Sequence, residues 1–244
     1  MNRTFFSALV AAAIVACSPK TTLPPDDNPP APGFRLAQSD PKAVAIADEV
    51  MRAMGGRKAW DEARTLSWNF FGRRKLLWDK HGGQCRIEWL NRALTVQVNL
   101  NDGSGQVWMD GAEQTQADTL AKYLDLARKV WINDSYWLVM PFKLKDSGVT
   151  LRYLGQSPTE AGEPSDLLQL TFENVGVTPD NKYHVWVDQK TRLVTQWAYF
   201  EKFGDEKPRI VNAWGGYQRF GKLLIATERG SRGSLAPVEV GGDW

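Results

Sequence analysis

The side chains in this 244-residue sequence best suited to act as nucleophile, proton carrier or metal ligand near neutral pH are two cysteines and two histidines. They are Cys17, Cys85, His81 and His184, and the histidines lack the companions such chemistry needs. His81 falls in a turn with Lys80, Gly82 and Gly83, and His184 alternates with Tyr183 and Val185 on what reads as the polar face of a strand. Neither has a carboxylate at ligand spacing, and no His-Glu-x-x-His, Gly-x-Ser-x-Gly or phosphate loop occurs. Gly103-Ser104-Gly105 follows Asn101-Asp102 and reads as a turn. Asp110, Asp134, Glu173 and Asp188 fall near strand or helix ends, where turn and cap roles are the ordinary use of a carboxylate. The expectation is a chain without catalytic residues, metal or cofactor, and so not an enzyme.

Cys17 is the exception, because its thiol can take an acyl group. Arg3 and the apolar stretch from Phe5 to Ala16 read as a secretion signal, too short to span a bilayer as a helix. The stretch ends in Ile14-Val15-Ala16-Cys17, which resembles the lipobox cut before its cysteine by bacterial lipoprotein signal peptidase. Residues 1–16 are then a lipoprotein signal peptide, and Cys17 carries the lipid that holds the chain to a membrane, since stable anchoring takes roughly two acyl chains. Ser18 rather than Asp follows the cysteine, which in such lipoproteins usually permits sorting onward. The expected location is the cell envelope, lipid-anchored on the outer membrane and facing the periplasm.

Removing residues 1–16 takes away Arg3 and no acid, so the formal charge falls from +2 to +1. Such a balance argues against a nucleic-acid partner. Beyond Cys17 no apolar run is long enough to cross a membrane. With Cys17 acylated, Cys85 has no disulfide partner and reads as a small buried apolar residue.

Residues 17–39 are rich in proline and polar residues and read as an acylated cysteine followed by a tether; fully extended at about 3.1 Å per residue, it would reach roughly 70 Å. Residues 40–244 form one domain. Asp40-Pro41 starts a helix with Val44, Ala47, Val50, Met51 and Met54 on one face, ended by Gly55-Gly56, and a short second helix runs from Arg57 to Arg64. The hydrophobic period then changes to two at Leu66, Trp68 and Phe70, with a bend at Gly72 before the Arg73-Arg74-Lys75 patch. Further strands hold Cys85, Ile87 and Trp89, then Leu94, Val96, Val98 and Leu100, then Gln106 to Asp110. A helical insertion covers Thr115 to Asn133, and the apolar segment Trp131 to Phe142 is expected to lie across the sheet. Strands resume at Val149–Leu154, Leu167–Phe172, Tyr183–Val187, Leu193–Phe200, Arg209–Trp214 and Phe220–Arg229. The fold class is mainly β (α+β): one curved antiparallel half-barrel sheet, apolar on one face, lidded by N-terminal and inserted helices.

In this order of elements, with Val185-Trp186-Val187-Asp188 before a tight turn, the chain resembles the Lol-type half-barrel superfamily of envelope lipoprotein carriers and receptors, as an uncharacterised branch. The resemblance covers about residues 40–230 and implies a concave face that holds acyl chains. No ligand contact of that family maps onto a position here.

Eleven tryptophans stand out in the composition. They can pack a core, line a cavity or stack on sugars. For the cavity reading the lining candidates are Trp68, Phe70, Trp89, Val98, Tyr136, Trp137 and Phe142, facing a lipid or other apolar ligand in transport or sensing. Two other readings stay open: a non-enzymatic envelope scaffold with a solid core, and a glycan-binding surface.

Overall fold

The computed structural model describes residues 28–173, 175, 180–242 and 244. The signal segment, Cys17 and the expected tether as far as residue 27 lie outside the described residues. Residues 28–39 lie against the body: Asn28 donates to Asp48 at 2.8 Å, Ala31 N–H to the Lys145 carbonyl at 3.0 Å and Arg35 N–H to that of Val149 at 3.0 Å.

The first helix, α1 (Pro41–Ala53), begins at the expected Asp40-Pro41. Asp40 does not cap it by a side-chain hydrogen bond. Its carboxylate accepts the Tyr153 N–H at 2.9 Å and Arg152 Nη1 at 2.7 Å instead. These contacts, the Tyr153 N–H foremost, hold its carboxyl below the usual range. The buried face is Ala43, Ile46, Ala47, Val50 and Met51, so Val44 is turned half outward. Gly55 at φ +114° ends the helix, and a Cβ there would stand 2.3 Å from the Lys222 carbonyl oxygen. Glycine is what lets the C-terminal hairpin close on this helix, with Leu224 N–H bonded to the Met54 carbonyl at 3.0 Å.

After α2 (Arg57–Glu62) come β1 (Thr65–Phe70), β2 (Arg74–Asp79), β3 (Gln84–Trp89), β4 (Leu94–Asn99), β5 (Gly105–Met109) and β6 (Ala112–Glu113). The chain does not bend at Gly72. It reverses there, with Phe71 and Gly72 at φ +50° and +69°, and β2 returns along β1 from Phe70↔Arg74 to Thr65↔Asp79. The next helix, α3 (Ala117–Val139), runs past the expected end at Asn133. The polar run Asn133-Asp134-Ser135 does not break it because Asp134 meets Arg74 at 2.7 and 3.0 Å inside the molecule. The segment Trp131 to Phe142 is thus the last two turns of α3 and a 3-10 turn, Met140–Lys143.

The second half holds β7 (Val149–Gln156), β8 (Ser165–Phe172), β9 (Lys182–Asp188), β10 (Val194–Phe200), β11 (Ile210–Ala213), β12 (Gly215–Phe220), β13 (Leu223–Glu228) and β14 (Val238–Val240). The strand expected over Phe220–Arg229 is one arm of a hairpin turned at Gly221, and β14 is an element the sequence patterning misses. The ladders divide into a seven-stranded sheet ordered β14-β1-β2-β3-β4-β5-β6, a five-stranded sheet ordered β11-β10-β9-β8-β7, and the β12-β13 pair, not one sheet. All pairings are antiparallel and neither large sheet closes into a barrel, so the architecture is an open, mainly β half-barrel with helices against it.

In the first sheet, cross-strand registers align Trp68, Leu76, Ile87, Val96 and Val107 in one row, all fully buried. Helix α3 lies on β4 and β5, so closely that a Cβ on Gly105 would come within 2.8 Å of Leu124 Cδ2. This half is solid, and closely packed apolar rows of this kind supply most of the free energy of folding.

Candidate ligand-binding site

The second sheet presents a matching inner row, Leu151, Leu170, Tyr183, Tyr199 and Ile210, beside a second row of Tyr153, Leu168, Val185, Trp197 and Asn212. Helix α1 packs on β7 and covers one end of this face. At the other end α3 stops at Val139, and a cavity of about 650 Å³ remains. That is within the range of small-molecule sites, roughly 300–1,000 Å³.

The last turns of α3 supply Trp131, Ile132, Tyr136 and Trp137 to its wall. Phe172 at the end of β8, Tyr183 of β9, Trp197 and Tyr199 of β10, and Trp214 after β11 supply most of the rest. Their rings meet mainly edge to face or tilted. Tyr136 and Tyr183 are 5.4 Å apart, Tyr183 and Trp197 5.2 Å, Trp137 and Trp197 4.8 Å, and Tyr183 and Tyr199 5.7 Å. Rings locked in this way hold the wall open, because collapse into the cavity would break several contacts at once.

Two groups hold the end of α3 that carries this wall. Arg74 points inward from β2 to the buried Asp134, whose carboxyl is pushed up by burial against the opposing pull of Arg74. Arg229, fully buried, donates to the Trp137 carbonyl at the end of α3 and to the Ala226 and Glu228 carbonyls, with its guanidinium 3.5 Å above the Trp214 ring. Burial lowers its pKa to about 9. A cation at a helix C-terminus satisfies carbonyls that the helix leaves unbonded.

The lining is mixed: Asn133, Ser135, Ser147 and Asn181 stand on it beside the aromatic rings. Burial raises the Tyr136 hydroxyl well above the usual phenol range, and Tyr183 and Asp146 add to the rise. Among the described residues that hydroxyl and the indole N–H groups of Trp131, Trp197 and Trp214 are buried without a hydrogen-bond partner. Lys143 and Arg209 are the basic residues on the lining, paired with Asp146 at 2.9 Å and Glu201 at 2.7 Å.

Of the residues read from sequence as lining candidates, Tyr136 and Trp137 line this cavity. Trp68, Trp89 and Val98 are buried under the first sheet, and Phe142 stacks on Trp60 at 4.5 Å. Phe70 stands behind the wall, edge-on to Trp137 at 6.5 Å. Tyr183, Trp197, Tyr199 and Trp214 escape the sequence reading, although large aromatics recurring at period two on adjacent strands are there to be seen.

The chemically capable side chains are spread apart. Cys85 is buried in β3, and burial pushes its thiol up, away from the reactive thiolate. His81 Nε2 lies 2.7 Å from the Asp61 carbonyl oxygen in the turn after β2. His184 lies half-buried on the outside of β9, 4.5 Å from the Phe200 ring, and burial with Lys182 nearby lowers its pKa to about 4. Among the described residues no three His, Cys, Asp or Glu side chains are grouped to hold a metal ion, and no helix is long and apolar enough to cross a membrane.

No family model matches this sequence, and no curated protein does. Among solved structures, the chain is similar to a DUF1329 family protein from Desulfovibrio piger ATCC 29098, at 15% identity and a TM-score of 0.43 over 83% of this chain and 94% of that one. It is also similar to MucB in complex with MucA(peri), at 18% identity and a TM-score of 0.25 over 76% of this chain and 62% of that one. Likeness at these scores is loose and decides nothing about function.

Proposed function

We propose that this chain is a lipid-anchored envelope protein that binds a lipid or other apolar molecule in the cavity beneath its second sheet. The observation that carries the reading is the cavity of about 650 Å³ walled by aromatic rings that pack on each other. A solid core has no use for such a space, since an empty void forfeits contacts on every side. Each methylene moved into it from water gains about 0.8 kcal/mol, so one acyl chain or ring system gains enough to be retained. Its spread-out polar side chains fit binding better than catalysis. The anchor at Cys17 and the outer-membrane location are part of the proposal, resting on Ile14-Val15-Ala16-Cys17 and Ser18.

The test uses the full chain carrying Cys17→Ser, exported to a bacterial periplasm and analysed by native mass spectrometry. A stoichiometric retained lipid is expected, lost on filling the cavity with Ile210→Trp. A chain that emerges empty and takes up no fluorescent fatty-acid probe would transfer the weight to a scaffold that works through its surface. Metabolic labelling with an alkyne fatty acid tests the anchor, and should mark the wild-type chain but not Cys17→Ser.

A further inference from the structure

We infer, on the reading just proposed, that the ligand is a lipid with a single acyl chain, its tail inside the aromatic cavity and its polar head at the mouth, and that a two-chain lipid is too large. The room sets the chain count. A methylene takes about as much space as a water molecule in the liquid, about 30 Å³, so a cavity of about 650 Å³ holds roughly 20 groups of that size. A palmitoyl or stearoyl chain fits within that capacity. A pair of such chains needs about 1,000 Å³ before any head is counted.

The walls resist enlargement, because rings on them are backed by further side chains. Trp131 meets Trp78 at 5.4 Å, Trp137 meets Phe71 at 5.6 Å, and Trp214 has the buried Arg229 against its face. Gly33 passes so close to Ser147 that a Cβ there would stand 2.7 Å from its Oγ. A second chain could enter only by undoing several of these contacts, and closely packed interiors yield little. Exposure along the lining orients the ligand. Trp197, Trp214 and Val149 are buried, with Ser135 and Asn181 as buried polar residues beside them, whereas Asn133, Ser147 and Arg209 are exposed. Charges of both signs reach solvent, Lys143 with Asp146 at 2.9 Å and Arg209 with Glu201 at 2.7 Å. A head group set there keeps its water, while the tail gains from every methylene taken out of water.

The experiment presents the full chain carrying Cys17→Ser with an equimolar set of saturated fatty acids of about 10 to 22 carbons and reads the occupancy of each by native mass spectrometry. Occupancy should rise by up to about fourfold per carbon and level off near about 18 carbons, where the cavity is full. Ile132→Ala, which shortens a lining side chain, should move that level outward by about two to three carbons, whereas a variant that merely loosens the fold would lower every length alike. Lysophosphatidylcholine with one palmitoyl chain should be retained at least about tenfold over phosphatidylcholine with two. Hexadecanedioic acid, polar at both ends, should be retained at least about tenfold less than palmitate. Equal or greater retention of the two-chain lipid, or an occupancy still rising at about 22 carbons, overturns the single-chain limit and leaves the apolar cavity standing. A level that stays in place in Ile132→Ala overturns the cavity as its cause. Equal retention of the diacid overturns the orientation. Uptake of no fatty acid and neither phospholipid overturns the proposed function itself.

Discussion

The two large sheets of this molecule are built from the same kind of strand, yet one is packed solid and the other is hollow. Under the first sheet the row from Trp68 to Val107 meets α3 along β4 and β5, and the aromatics Trp60, Trp78 and Trp131 close the side. Under the second, the row from Leu151 to Ile210 is met by α1 at one end and by the last turn of α3 at the other, and Phe172, Tyr183, Trp197 and Tyr199 lean on one another around a cavity. Strand composition therefore does not decide whether a half-barrel is filled. The length and placement of the covering helices do.

The largest expected effect lies at the joint between the halves. Arg74→Met leaves the buried Asp134 without its ion-pair partner, which should cost about 3–5 kcal/mol in urea unfolding, and the double variant with Asp134→Leu should recover most of it. A double variant as unstable as the single would show that the pair does more than cancel its own burial. Next, the contrast between the halves can be measured directly. Trp68→Ala in the solid half should cost about 3–5 kcal/mol with little change in ligand affinity per folded molecule. Tyr199→Ala, on the cavity wall, should cost about 1–2 kcal/mol and weaken ligand at least about tenfold. Equal stability losses would erase the distinction.

Filling the cavity with Ile210→Trp should change stability by less than about 1.5 kcal/mol and abolish uptake, whereas a similar enlargement in the solid half, Val96→Phe, should cost about 1–3 kcal/mol. The smallest effect concerns His184 on the outer face of β9. Its folded pKa of about 4 lies below the ordinary value of 6.5, so the unfolded chain takes up its proton first. Stability contributed by the neutral ring is present above pH 6.5 and is lost as pH falls from there toward 4. His184→Gln should remove that slope, by less than about 1 kcal/mol given how much solvent reaches the ring, read as the change in urea midpoint between pH 7 and pH 5. An unchanged slope would show that the His184 ring does not carry this acid sensitivity, because carboxylates held low, such as Asp79 and Asp188, act only at more acid pH.

Much of this fold is legible in the sequence. Asp40-Pro41 and Gly55-Gly56 bracket α1, and period-two alternation locates most strands. What escapes depends on partners distant in the chain. Phe71 adopts a left-handed backbone that its type disfavours, so its reversal reads as a bend. Asn133-Asp134-Ser135 looks like a helix end because nothing local reveals that Arg74, far back in the chain, receives Asp134. Alternation tells which face of a strand is apolar but not what stands opposite, so Trp68 and Trp197 read alike although one is core and the other cavity wall.

The path of residues 28–36 has a mechanical consequence. Asn28 is fastened to Asp48, the Pro29 carbonyl accepts from Arg57, and the backbone from Ala31 to Arg35 is hydrogen-bonded to the stretch from Lys145 to Val149. That stretch includes Asp146, Ser147 and Val149, which form part of the cavity lining. A pull on the chain at Asn28 therefore loads α1, α2, the cavity lining and the start of β7 before it reaches the seven-stranded sheet. Residues 28–35 and the cavity lining are one mechanical unit, and tension on the first is felt at the second.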